Sequence, residues 1–408
     1  MKFWDTGEET NTTTFDYDVM KKKFIENLDY LKEMSVEEQT LYKKWIEWNE
    51  DRVSNMKRLP ALQSYYDSLW KPTDITNKEL TISEIESIDP YVEIVEDDPK
   101  ESTRWTEIRK LIHTMEFSAN PGRNVKIYVK DKTSGKILGQ ICLGSDITSL
   151  GVRDEFIGWS KEDKFEKGKL NCTSIATTIV STQPFGYNFL GGKLIAALAT
   201  APEIRAYWKT KYDNPLVGVG TTSLYGIHSQ YNGIPHFKTL GESKGKISTK
   251  PDDSVYDPWH QWLKENRAEW YKTHIMDERE RNGANMGYEK NGPVSGIKQK
   301  IIQAIFKELG IKGNAYDHGF QRGVYFAQMY QNGNDFLCSK IEEKDLVLNE
   351  KFAKGNEYTI KWWKDKAIKR YTKLHDEGRI KPEVLFYVDA IGMTWEKMQE
   401  NYLKEVGR

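Results

Sequence analysis

With 408 residues, 38% hydrophobic and 12% aromatic, the chain can bury a large core spread over two or three structural units. The 60 basic and 61 acidic residues leave a formal net charge of −1, so only local charge can speak for or against a nucleic-acid partner. No run approaches about 18 uncharged apolar residues, the opening MKFWDTGEETNTTTFDYD lacks the order of a signal peptide, and Cys142, Cys172 and Cys338 show no CxxC or CxxH spacing. A cytoplasmic protein without membrane contact, disulfide framework or cysteine zinc cluster is therefore expected.

The first ninety or so residues have helical spacing: Met20, Phe24, Leu28 and Leu31 recur on one face, and Ser35 to Glu38 (SVEE) form a capping box ahead of Leu41, Trp45 and Trp48. The acidic stretch TISEIESIDPYVEIVEDDPKEST is expected to be an irregular connector. Beyond it, NVKIYVKDKTSGKILGQICLG alternates apolar and polar residues on both sides of KTSG, the pattern of two antiparallel strands and a turn. NCTSIATTIVST, rich in β-branched residues, predicts a buried strand; Leu190, Leu194, Ile195 and Leu198 predict a helix, and NPLVGVGTTSLYG another strand. Between the first strand and the helix lies QPFGYNFLGGKLI, a glycine turn.

A strand that runs through a glycine turn into a helix leaves the first helical amides pointing at the turn, where they attract anions. Glycine also lets a backbone approach a pyrophosphate closely. The same glycines serve equally to pack a helix on a sheet, and both readings stand at this point.

The segment Gln183-Pro-Phe-Gly186-Tyr-Asn188 resembles the Q/R-x-x-G-x-G/A loop of the GNAT acyltransferase superfamily, with Asn188 where that family prefers Gly or Ala. The flanking hairpin, helix and strand are similar in order to the GNAT core. The blocks GRNVKIYVKDKTSGKILGQICLGS, RDEFIGWS, SQYNGIPHFKTLGESKGK and HGFQRGVYFAQMYQNGNDFL also resemble the Mom-like adenine-modification proteins of phages and the related Druantia-type domain, over about residues 105 to 340. The resemblance implies a GNAT-like fold and transfer of a small carbamoylmethyl-type group to the exocyclic amine of adenine, which shields DNA from nucleases. The likeness to the GNAT loop implies an acyl-CoA-type donor held by Gln183, Phe185, Gly186, Tyr187, Asn188 and Gly191.

Transfer to a weakly basic amine needs a polarised donor, an oriented amine and a route for its proton. Ser223, Tyr225 and Tyr231, at the end of the later strand and just after it, and Asn171, at the start of the strand before the loop, are the catalytic candidates. The tyrosines are equally readable as half-buried packing residues. Arg153 and Asp154 suggest a local ion pair with Trp159 as a core anchor. His228 and His236 flank SQYNGIP and are the candidates for a metal such as iron, although no ligand set follows from histidine spacing.

DNA contact is argued locally. From Lys351 to Lys381, ten Lys or Arg stand against four Asp or Glu around Trp362, Trp363 and Tyr371, so Trp362, Trp363 and Arg370 are candidates for phosphate contact and base stacking. An amphipathic helix with tryptophans packed inward fits the same residues. Lys244 and Lys246 form a second basic strip, and Arg322 is a further candidate.

The expected fold is α/β: a GNAT-like mixed sheet flanked by helices over 105–278, with a helical extension over 1–104 and an α/β accessory region over 279–408. The expected function is a base-modifying transferase acting on double-stranded DNA. Two alternatives stay open: an acyl-CoA-dependent N-acyltransferase on protein or a small amine, and a non-catalytic DNA-binding component of a defence system.

Overall fold

The structure, a computed structural model, describes residues 15–50, 52–95, 98–115, 122–224, 226, 229–280, 296–381 and 390–407. In chain order the helices and strands up to the glycine turn are α1 (Tyr17–Lys32), α2 (Val36–Asn49), α3 (Arg52–Asp67), α4 (Lys78–Ser87), β1 (Pro90–Ile94), α5 (Pro99–Ile112), β2 (Asn124–Asp131), β3 (Ile137–Ser145), α6 (Gly151–Ile157) and β4 (Thr173–Ser181). The turn leads to α7 (Phe185–Phe189), α8 (Gly191–Leu198), α9 (Pro202–Tyr212), β5 (Gly218–Ser223) and β6 (Lys238–Ser248). There follow α10 (Asp253–Asn266), α11 (Ala268–Tyr271), α12 (Ile297–Leu309), β7 (Asp317–Gln328), α13 (Gly333–Leu337), α14 (Glu350–Ala353), α15 (Gly355–Asp376) and α16 (Trp395–Val406). No described helix is long and apolar enough to cross a membrane.

Local chemistry accounts for the starts of several elements. The Asp16 carboxylate accepts from Val19 N–H to cap α1, and the Ser35 and Glu38 pair closes reciprocally, Glu38 N–H donating to Ser35 Oγ (3.2 Å) and Ser35 N–H to Glu38 Oε2 (3.0 Å). The acidic stretch expected to be an irregular connector is instead mostly regular: it holds the body of α4, then β1 and the first turn of α5. Asn77 and Asp98 cap the two helices, while Thr81, Ile85 and Ile88 turn inward.

The chain divides into two compact units, Met1–Gln39 with Ser248–His318, and Thr40–Ile247 with Gly319–Arg408. In the first, helices bury Phe24, Leu28, Trp259, Leu263, Ile305 and Phe306. The second holds a sheet in the order β1-β2-β3-β4-β5-β7-β6. Pairs β1–β2, β2–β3, β3–β4 and β5–β7 are antiparallel, and β4–β5 is parallel. This is a mixed sheet flanked by helices, as expected. β3 is buried on both faces: Gln140 donates to Trp105 O of α5 on one side (2.9 Å), and Gly139 on the other leaves room for Ile195 of α8, whose Cδ1 would stand 2.6 Å from any Cβ there.

Candidate functional site

Three residues of β4 pair with β5: Thr173 with Gly218, Ser174 with Val219 and Ile175 with Gly220. The β3–β4 register shifts just past this point, where Cys142 faces Thr178 but Leu143 faces Ala176. Thr177 is thus an extra residue in β4, and a bulge of this kind bends its strand. Backbone pairing with β5 stops at Ile175, so the parallel strands form a fork. Segment 229–232 fills it. Gln230 Nε2 donates to the Ile179 carbonyl of β4 (3.3 Å), and the buried Tyr231 sets its hydroxyl against the side chains of Thr221 and Gln230. Lys193 of α8 donates to the carbonyls of Gln230 (3.0 Å) and Asn232, and Tyr325 of β7 donates to Asn232 Oδ1 (3.1 Å). Burial raises the Tyr231 pKa, so at neutral pH the phenol is a hydrogen-bond donor and not a base.

The glycine turn follows β4 directly, with a cis peptide between Gln183 and Pro184. Several of its amides already have acceptors. Gly186 N–H donates to Thr182 O (2.8 Å), Asn188 N–H to Pro184 O (3.3 Å) and Lys193 N–H to Leu190 O (2.9 Å), while Tyr187 N–H donates to Gln183 Oε1 (3.1 Å). Each glycine also has a packing reason. A Cβ at Gly186 would overlap Ser181 Oγ, one at Gly191 the Phe185 ring, and one at Gly192 the Gln230 carboxamide. Phe185 is fully buried, and Asn188 is fixed by donating to Lys381 O (2.7 Å) and accepting from Lys381 N–H (3.1 Å). In this geometry the space at the three glycines and the amides of Gly186, Tyr187, Asn188 and Lys193 are already used, so a pyrophosphate would have to displace these contacts.

The basic segment Lys351 to Lys381 forms α14, α15 and the residues just beyond. Trp363 is fully buried, donates through Nε1 to Phe189 O (2.9 Å) and lies 5.3 Å from the Phe185 ring. Tyr371 is equally buried and donates to Ile75 O (2.7 Å). Trp363 therefore belongs to the core and has no ring face free for a base, correcting its assignment as a DNA-stacking residue. Trp362 stays half-buried, with Lys366 Nζ 5.6 Å from its ring centroid. Arg370 lies over the Tyr187 ring (5.2 Å), as does Lys381 (5.0 Å), and Lys366 acts through space on Lys193. The flank of α15 that carries Lys366 and Arg370 therefore borders the glycine turn and α8.

The other sequence candidates are scattered. Asn171 is exposed at the paired end of the fork, where its carbonyl accepts from Arg123 (2.6 Å); it is not brought to Tyr231. Ser223 is buried at the end of β5 opposite Gly323. Arg322 is exposed on β7. His236 is buried with its ring stacked on Phe352. Tyr225 and His228 lie outside the described residues, as do the side chains of Lys244 and Lys246. Among the described residues no group of three or more His, Cys, Asp or Glu is placed to hold a metal ion. Arg153 does pair with Asp154 (2.7 Å), but also with the buried Asp146 (2.6 Å), and Trp159 Nε1 donates to Asp154 (3.1 Å). Gln230 and Lys193 carry no local pattern that marks them in the sequence, while Lys366 and Lys381 stand out there only as members of the basic segment.

A family model described as Druantia protein DruA matches residues 43–339. The Druantia protein DruA of Escherichia coli (strain UMEA 4076-1) is 27% identical over 254 residues, which cover 58% of this chain and 58% of that protein. The chain thus spans somewhat over half the length of that curated relative. No solved structure matches. The matched residues run from α2 through the fork, the glycine turn and β7, and the chain belongs to the Druantia protein DruA family.

Proposed function

We propose that this chain engages double-stranded DNA as a component of a Druantia-type antiphage defence system, acting with other Dru proteins and gripping the phosphate backbone along the flank of α15. The observation that carries the reading is a set of cations on one helix: among the described residues, Lys361, Lys366, Lys369 and Arg370 have no carboxylate within ion-pair distance. Trp362 and Tyr187 stand among them. Exposed lysines and a half-buried arginine, interleaved with partly exposed aromatic rings, suit phosphate contact with little sequence readout. Fluorescence anisotropy of a labelled duplex at several salt concentrations tests this. Binding that is weak and independent of salt would sink it.

A second reading is favoured by a different observation. The strand order β1-β2-β3-β4-β5-β7-β6, with a parallel pair that stops at a bulge and a glycine turn straight after β4, is the arrangement expected of a GNAT-like core. On this reading the chain is a transferase adding a small acyl- or carbamoylmethyl-type group to the exocyclic amine of adenine, with Tyr231 donating a hydrogen bond at the fork. An acyl-CoA-type donor would supply an activated group, but the turn would first have to free its amides and segment 229–232 would have to leave the fork. Mass spectrometry of nucleosides from cells expressing the protein decides the matter. A new adenosine species establishes transfer and its mass names the group; unaltered DNA together with salt-dependent binding leaves the first reading.

A further inference from the structure

A narrow open pocket in the second unit lies between the starts of α9 and α15 and is lined by Thr200, Arg205, His236, Lys351 and Asn356, among others. His236 is only 8% exposed. Both its ring nitrogens are buried, with the Lys351 backbone as the one group in reach of the ring among the described residues and no well-formed hydrogen bond to either nitrogen, and its ring is held by stacking on Phe352 at 4.6 Å. A single backbone group can serve only one of the two ring nitrogens, so the other, beside the pocket, calls for a partner inside it. Two cations share the space. Arg205 donates to Thr200 O (2.7 Å) and Lys351 to Pro235 O (3.4 Å), and neither has a carboxylate within ion-pair distance among the described residues. Glu203, in the first turn of α9, is engaged by Asn356 Nδ2 through both carboxylate oxygens (3.1 and 3.0 Å).

The helix ends add to this. α9 has 11 residues and α15 has 22, and neither N-cap, Ala201 or Lys354, supplies a capping side chain. Two uncapped helix starts, an arginine, a lysine and an imidazole nitrogen left without a partner together favour a compact anion with several acceptor oxygens. We infer that this pocket binds a phosphate monoester or inorganic phosphate, held by His236, Arg205 and Lys351. The site is separate from the α15 flank and from the fork, and does not depend on either reading of function.

The test uses full-length protein labelled with ¹³C-histidine, the His236 ring signal being identified by its loss in His236→Gln. Inorganic phosphate is titrated at constant ionic strength against chloride. The expected result is a saturable shift of the His236 signal, with an apparent Kd at least tenfold weaker in Lys351→Ala and in Arg205→Gln. The His113 signal, from the end of α5 in the same unit, should be unmoved in every variant, as a check that the fold persists. Adenosine monophosphate and a 5′-phosphorylated duplex distinguish the sources: a response to the first alone assigns a free nucleotide, and to the second alone a DNA end. An equal response to chloride, an equal response to a 5′-hydroxyl duplex, no saturation, or an unchanged Kd in both variants would overturn the assignment and leave water as the partner of His236.

Discussion

Replacing Trp363 with alanine separates the core from the surface of α15 proposed to contact DNA. The side chain is fully buried, packs on Phe185 at 5.3 Å and donates to Phe189 O. Truncating a buried tryptophan costs about 3–5 kcal/mol, and the orphaned Phe189 carbonyl adds roughly 1 kcal/mol, giving about 4–6 kcal/mol against a total stability of about 5–15 kcal/mol. Because 408 residues in two units need not unfold together, the suitable assay is hydrogen exchange by mass spectrometry. Peptides from α7, α8 and α15 should lose protection by a factor of about a thousand or more, while α10 and α12 exchange as in the wild type. Trp362→Ala, half-buried on the same helix, should cost about 1 kcal/mol in protection but weaken DNA binding, by about 1–3 kcal/mol if a base stacks on it. Wild-type exchange in Trp363→Ala, with lost DNA affinity, would refute the assignment of this ring to the core.

Four further outcomes are expected. Lys366→Ala and Arg370→Ala should each weaken duplex binding and reduce the slope of log K against log salt by about 0.9, read by anisotropy from low to moderate salt. Asp146→Ala leaves the buried Arg153 with Asp154 as its one remaining carboxylate among the described residues and should lower stability by about 1–3 kcal/mol in urea titration. His236 is held down to about 4, by burial first and by the nearby Lys351 and Arg205, so below pH 6.5 the unfolded chain gains a proton that the folded chain refuses. Its contribution is therefore full above pH 6.5 and falls on acidification, by about 2 kcal/mol at pH 5, and His236→Gln should lose that component of the pH dependence in matched urea titrations at pH 7 and pH 5. Gly192→Ala should push the Gln230 carboxamide off Ile179 O and cost only about 1 kcal/mol, because the displaced group is the end of a flexible side chain; faster exchange in β5 is the readout.

What was legible in the sequence is what local periodicity writes. The β2–β3 hairpin, β4, β5, α8 and the Ser35 to Glu38 box follow from alternation, β-branched content and capping pairs, all within a dozen residues. The acidic stretch failed because α4 buries Thr81 and Ile85 and shows its carboxylates to solvent, so its charge hides a short apolar stripe. Trp362 and Trp363 are a sharper case. Adjacent residues on a helix point about 100° apart, so one had to turn inward, but which one depends on Phe189, 174 residues away. The glycine turn shows the same limit: its three glycines are plain in the sequence, while the groups that need their space include Gln230, which only the fold brings to Gly192.

The fork explains why that remote contact matters. Parallel strands that part beyond a bulge expose carbonyl and amide groups on their facing edges, and buried backbone groups of this kind need partners. Gln230 supplies one to Ile179, Tyr231 fills the space beside Thr221, and Lys193 ties the segment's own carbonyls to α8. On the first reading, a segment held this way completes the core of a scaffold that presents α15 to DNA. The same segment, if displaced, would open the fork beside the glycine turn. The two functional readings thus differ physically in one quantity, the free energy needed to lift residues 229–232. Gly192→Ala lowers that quantity without touching the basic flank, so a variant that binds DNA as before yet gains affinity for an acyl-CoA analogue would move the weight to the transferase, and one that only exchanges faster would leave it with the scaffold.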